Sequence, residues 1–151
     1  MADYPYYILY YNFVKKHGRA KFLRPASLHP SLHLAWSMAV VRSFYSVGFY
    51  ADKPLDHGYY PARAMDLRRK GWVGTWGFGF VAAKLFARFL WKHHEALDID
   101  YIIVGRKIIS RAHPTWRPYN SDRSHDWHIH VSGWWPGKDH GVPGGPRPGD
   151  H

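Results

Sequence analysis

A chain of 151 residues with 21 Lys+Arg against 11 Asp+Glu is long enough to bury one core, and its net charge of +10 favours an anionic partner such as nucleic acid, acidic lipid or an anionic cell wall. It contains no cysteine, which excludes disulfides and thiolate metal sites and leaves His, Asp and Glu to hold any metal. No apolar run approaches the roughly 18 residues of a membrane span, and the first residues lack a secretory pattern, so a soluble protein made in the cytoplasm, with no membrane insertion, is expected.

Residues 4–14 are rich in Tyr, Ile, Leu, Phe and Val, a composition that suits a strand or extended segment, and Lys15 to Arg19 reads as a basic turn. Pro30 stands as a first-turn residue before Leu32, Trp36, Ala39 and Val40 at helical spacing, which predicts a helix over 30–41. Residues 50–61 are turn-forming and lead into a short alternating segment in which Asp66 shares a face with the small Ala62 and Ala64. An acid there has room for something beside it.

Glycines interleaved with aromatic residues over 71–80 read as a loop entering the next helix, expected over 76–97. Lys84, Arg88, Lys92 and Glu95 form its one polar stripe, so most of its surface is expected to be buried. Tyr101–Val104 and Lys107–Ser110, separated by Gly105-Arg106, predict a β-hairpin or a bent strand pair, and 111–124 a loop. In the stretch 124–132 three histidines fall within six residues. Read as a strand, its period of two sends His128, His130 and Ser132 to one face and Trp127, Ile129 and Val131 to the other. Such a pair can supply a metal ligand and an acid/base group side by side; a pair of surface histidines without chemistry has the same pattern. The segment after Trp135 is dominated by Pro and Gly and is expected to be a flexible tail, giving one domain over 1–135 and a tail over 136–151.

A catalytic zinc without thiolates takes three ligands from His and carboxylates, so a further ligand must come from outside the histidine strand, and Asp56-His57 with Asp66 supplies the candidates. His57 and Asp66 followed by His128-x-His130 resemble the signature of the zinc metallopeptidases that include lysostaphin-type enzymes, D-Ala-D-Ala carboxypeptidases and the murein endopeptidase. The stretch His125–Val131 is similar to the murein endopeptidase's closing motif. Tyr101–Ser110 with Trp116-Arg-Pro-Tyr119 resembles a group of actinobacterial and phage peptidase-like domains. The resemblance spans roughly residues 30–135. It departs at one point: Asp66 lies nine positions beyond His57, two more than the family's usual spacing, with Ala62 where a Gly is common.

The resemblance implies that His57, Asp66 and His130 bind Zn²⁺. It implies that His128, or else His125, serves as general base, since no Glu precedes the last ligand, with His125 otherwise holding substrate or stabilising the oxyanion. Arg63 and Arg42 are candidates to pair with a substrate carboxylate, and Asp126 to orient a histidine. The run Arg68-Arg69-Lys70 reads as a solvated basic patch. The expected fold is α+β: a small antiparallel sheet carrying the metal site, covered by two main helices on one face. The expected activity is hydrolysis of peptide bonds in bacterial peptidoglycan, by an enzyme reaching the wall after lysis or as part of a phage particle, with phage virion proteins as further partners. The alternative is a non-catalytic basic virion component of the same fold that binds the wall. Nucleic-acid binding rests on charge and aromatic content alone.

Overall fold

A computed structural model describes residues 5–49, 61–120 and 124–134. The expected tail over 136–151 and the turn-forming segment that carries His57 lie outside the described residues. The class is α+β. Among the described residues three α-helices, α1 (Tyr6–His17), α2 (His33–Val41) and α3 (Gly77–Lys92), accompany six strands, β1 (Phe44–Gly48), β2 (Ala64–Arg69), β3 (Ile99–Val104), β4 (Lys107–Ser110), β5 (Arg117–Pro118) and β6 (Ile129–Gly133). The strands form one open sheet in the order β1-β2-β6-β3-β4-β5. Every neighbouring pair is antiparallel.

The alternation of the central strands sorts the core. Met65 and Leu67 of β2, Ile102 and Val104 of β3, and Ile129 and Val131 of β6 join one buried cluster with Leu34, Ala35, Met38 and Ala39 of α2 and Ala83, Phe86, Ala87 and Leu90 of α3. The opposite parity of β3 and β4, Tyr101, Ile103 and Ile108, forms a second cluster with Tyr119 packed on it. Each strand residue therefore belongs to one of two chemically different sides. His130 and Ser132 fall on the second, as their parity predicts, because Ser132 lies opposite Tyr101 and His130 opposite Ile103.

Four expectations are corrected. Residues 6–17 are a helix, not a strand: the β-prone composition is real, but Leu9 and Phe13 recur at helical spacing and are the buried pair, with Tyr10 and Val14 packed beside them. The last long helix ends at Lys92, before His93, and Asp98 at φ 53° turns the chain into β3. That helix is not mostly buried either. Only a stripe of Gly79, Ala83, Phe86, Ala87 and Leu90 is inside, while Phe78, Val81 and Leu85 are exposed. Finally, the strand carrying the histidines starts at Ile129, so Trp127 lies outside its alternation. The Trp127 ring receives the Arg68 guanidinium at 5.5 Å, and Arg68 shares the parity of Asp66.

Pro30–Leu32 forms a 3-10 turn ahead of α2, with the His29 side chain accepting the Ser31 N–H at 3.2 Å, so the Pro30 start signal is met. The loop after β4 contains the two-residue β5, whose Pro118 sits on the sheet edge where a missing N–H is tolerated.

Candidate functional site

Strand pairing builds the centre of the site. Asp66 of β2 lies opposite His130 of β6, and Ala64 opposite Ser132, so the small residues beside the carboxylate leave the imidazole free to reach it. His130 Nδ1 lies 2.7 Å from Asp66 Oδ1. A carboxylate only accepts, so Nδ1 is the protonated nitrogen and Nε2 carries the lone pair while the ring is neutral. The His130 side chain is 1% exposed and that of Asp66 13%. The Tyr101 ring stacks on His130 with centroids 5.5 Å apart, fixing the imidazole plane between strand neighbours.

His128 precedes β6 and turns to the same side. Its Nε2 lies 3.5 Å from the same Asp66 Oδ1, so one carboxylate oxygen gathers both imidazoles. His125 arrives differently. A 3-10 turn over Ser124–Asp126 folds its ring inward, 4.9 Å from the His128 ring and 6.1 Å from His130, with Tyr119 edge-on at 6.0 Å. The turn is tied to the β3–β4 hairpin, where the Gly105 N–H donates to the His125 carbonyl at 2.7 Å. Gly105 holds φ 59°, a left-handed conformation that favours glycine. Asp126, expected to orient a histidine, instead meets the Arg106 guanidinium of the same hairpin at 3.4 Å.

The two arginines expected at the substrate lie elsewhere. Arg63 precedes β2 on the parity of Met65 and Leu67, accepts the Gly133 N–H through its carbonyl, and is close enough to His29 to repel its imidazolium. Arg42 lies at the end of α2, donates to the Met38 carbonyl at 3.2 Å and stacks over Phe86 and Phe89 at 5.2 and 4.8 Å; burial lowers its pKa. Arg68 is the cation on the parity of Asp66. Sequence reasoning missed Tyr101 and Arg68 as site residues. Every residue of β3 is buried, so periodicity carries no face signal there, whereas Arg68 could have been found two residues beyond Asp66 in the alternating segment.

Two of the three expected zinc ligands, Asp66 and His130, are thus adjacent, and the third, His57, lies outside the described residues. Among the described residues no group of three or more His, Asp or Glu is arranged to hold a metal ion. Donors bound to one tetrahedral zinc at 2.0–2.2 Å stand about 3.3 Å apart. Asp66 Oδ1 and His130 Nδ1 are closer than that and share a hydrogen bond, while Asp66 Oδ1 and His128 Nε2 at 3.5 Å are near it. Asp66 and His130 are an oxygen and a nitrogen donor of the types zinc accepts, and to act as a ligand pair they would have to move apart and His130 Nδ1 to lose its proton. Comparisons with protein-family models, with curated proteins and with solved structures gave no match.

Proposed function

We propose that the chain is a zinc-dependent peptidase that hydrolyses peptide bonds of bacterial peptidoglycan, in the stem peptide or cross-link. The observation that supports this most is the single Asp66 oxygen shared by His130 at 2.7 Å and His128 at 3.5 Å, on a sheet side that also carries His125. His57, Asp66 and His130 would hold the zinc. When bound, zinc lowers the pKa of its water to about 7 and polarises a carbonyl oxygen. The chain's own part is proton handling and positioning. His128, its side chain 15% exposed, takes the proton of the attacking water on its imidazole and returns it to the leaving amine. His125, 1% exposed, is a positioning residue that packs against His128. Arg68, whose guanidinium lies over the Trp127 ring, is the cation for a substrate carboxylate.

Peptidoglycan lies outside the cytoplasm, and action there after lysis or as part of a phage particle belongs to the proposal. Among the described residues no helix is long and apolar enough to cross a membrane. A second reading, a basic wall-binding virion component of the same fold without catalysis, rests on the Asp66–His130 distance of 2.7 Å, shorter than two donors to one zinc stand apart. The deciding experiment is mass spectrometry of purified peptidoglycan incubated with zinc-loaded protein, chelated protein and His130→Ala. New peptide termini with the zinc-loaded protein alone support the peptidase and identify its bond. Intact peptidoglycan of several chemotypes, with a protein that binds zinc, supports the second reading. Failure to bind zinc overturns the metal site itself and with it the peptidase.

A further inference from the structure

The helix side that the core does not use has a chemistry of its own. Phe78, Val81 and Leu85 follow one another at helical spacing along α3 and are 79%, 45% and 60% exposed. Just ahead of them Trp76 and Val73, bridged to each other, are 73% and 52% exposed. Scattered exposed apolar residues need no explanation, but a contiguous apolar tip of this kind marks an interaction surface. Lys84, just before Leu85, and Arg88 and Lys92 farther along are exposed on the same helix, as is Lys70 ahead of the 71–76 loop. The described acids are Asp66, Glu95, Asp98, Asp100 and Asp126, so from residue 67 to residue 94 the chain carries cations and no carboxylate.

A groove of about 440 Å³ opens against this strip, sharing Leu85 with it and lined also by Ala82, Phe86, Arg42 and Arg69. Both arginines reach it. The Arg69 Nε donates to the Arg42 carbonyl at 3.3 Å, and the Arg42 guanidinium lies over the Phe86 ring. The groove offers guanidinium charge next to hydrocarbon, with no acid in its lining.

We propose that the α3 tip is a docking surface for an anionic phospholipid bilayer, with Trp76, Phe78, Val81 and Leu85 entering the interface and the Arg42–Arg69 groove taking a headgroup phosphate. The pattern is that of a helix lying in a membrane interface: apolar residues on one side, Lys and Arg beside them, and a Trp at headgroup level. Charge complementarity selects the lipid. Each Lys or Arg near an anionic leaflet adds attraction that a zwitterionic surface does not supply. A nucleic acid would use the cations but not the aliphatic Val73, Val81 and Leu85.

The test is co-sedimentation of the full chain with vesicles of phosphatidylcholine alone and of phosphatidylcholine mixed with phosphatidylglycerol, at low and physiological salt. Binding to the mixed vesicles alone, weakened by salt, is expected. The double variant Phe78→Ser/Leu85→Ser should lose at least about tenfold in affinity while keeping its melting curve, because both side chains are exposed in the free protein. Lys84→Gln/Arg88→Gln should flatten the salt dependence. Equal binding by the Phe78→Ser/Leu85→Ser protein overturns the proposal, as does binding of free glycerol phosphate as tight as that of vesicles. It is also overturned by a dimer in sedimentation velocity that the same double variant dissolves while vesicles are ignored, which would assign the tip to a second copy of the chain.

Discussion

At the scale of single residues, the Asp66–His130 contact is both a structural bond and the seat of the proposed chemistry, and substitution separates the two roles. Asp66→Asn keeps an oxygen that can accept the His130 Nδ1–H, so only the charge-assisted part is lost, about 1 kcal/mol. Asp66→Ala removes the acceptor from a donor that is 1% exposed, and about 2–3 kcal/mol is expected. Urea unfolding of the metal-free variants measures both, and equal losses would contradict this account. His29 is a second residue whose environment has a measurable sign. Burial lowers its pKa from the ordinary 6.5, Arg63 and His33 lower it further, and Asp98 opposes them. The neutral ring also uses its Nδ1 to accept the Ser31 N–H at the start of α2, which protonation at that nitrogen would end. Between the folded value and 6.5 only the unfolded chain is protonated at this position, so stability rises with pH through that window and is fully present above it. The melting temperature of the native protein should climb more between about pH 5 and about pH 7 than that of His29→Asn, which keeps an acceptor but does not titrate.

At the scale of elements, α3 shows how close approach outweighs propensity. Exchanging a mid-helix glycine for alanine ordinarily stabilises by about 1 kcal/mol. At Gly79 a Cβ would lie 2.5 Å from Trp72 Cα and 2.7 Å from the Gly71 carbonyl oxygen, both backbone atoms that cannot rotate away. Overpacking of that kind costs about 1–3 kcal/mol, so Gly79→Ala should lower stability, and calorimetry showing a higher melting temperature would refute the close packing of α3 on the 71–72 turn. The same contrast explains what could be read from the sequence. β2, the β3–β4 hairpin and β6 were legible because alternation and a Gly-containing turn are local signals, and they bring Asp66 and His130 opposite each other. The composition of residues 4–14 points to a strand because Tyr, Ile and Val are β-prone, while the burial of Leu9 and Phe13 depends on what α1 packs against. His125 was legible as a candidate but not as a neighbour of His128, since the 3-10 turn that folds it inward is held by the Gly105 N–H on another element. Arg63 stands beside the Asp66 strand and Arg42 at the end of a helix, yet α2 ends against Phe86 and Phe89, and Arg63 takes the parity opposite to Asp66.

At the scale of the whole molecule, folding and the proposed metal are linked. A ligand that binds the folded chain alone stabilises it by RT ln(1 + [L]/Kd), about 2.7 kcal/mol at a free concentration one hundred times Kd. For a chain of 151 residues each kcal/mol moves the melting temperature by about 2–4 °C, so saturating zinc should raise it by roughly 5–10 °C. The chelated protein should still melt cooperatively, because the two buried clusters and the six-stranded sheet are built from apolar contacts and strand pairing that need no metal. Magnesium, which prefers six oxygen ligands, should give little shift against a set with imidazole donors. Differential scanning calorimetry of the native protein, His130→Ala and His57→Ala with and without zinc then tests the ligand set one member at a time. Loss of the shift in both variants places His57 beside Asp66 and His130 in the metal site. A shift that survives His57→Ala but not His130→Ala would reassign the third position to His128, whose Nε2 already stands 3.5 Å from Asp66 Oδ1. That exchange would remove the proposed general base, and the peptidoglycan assay should then be silent although zinc is bound.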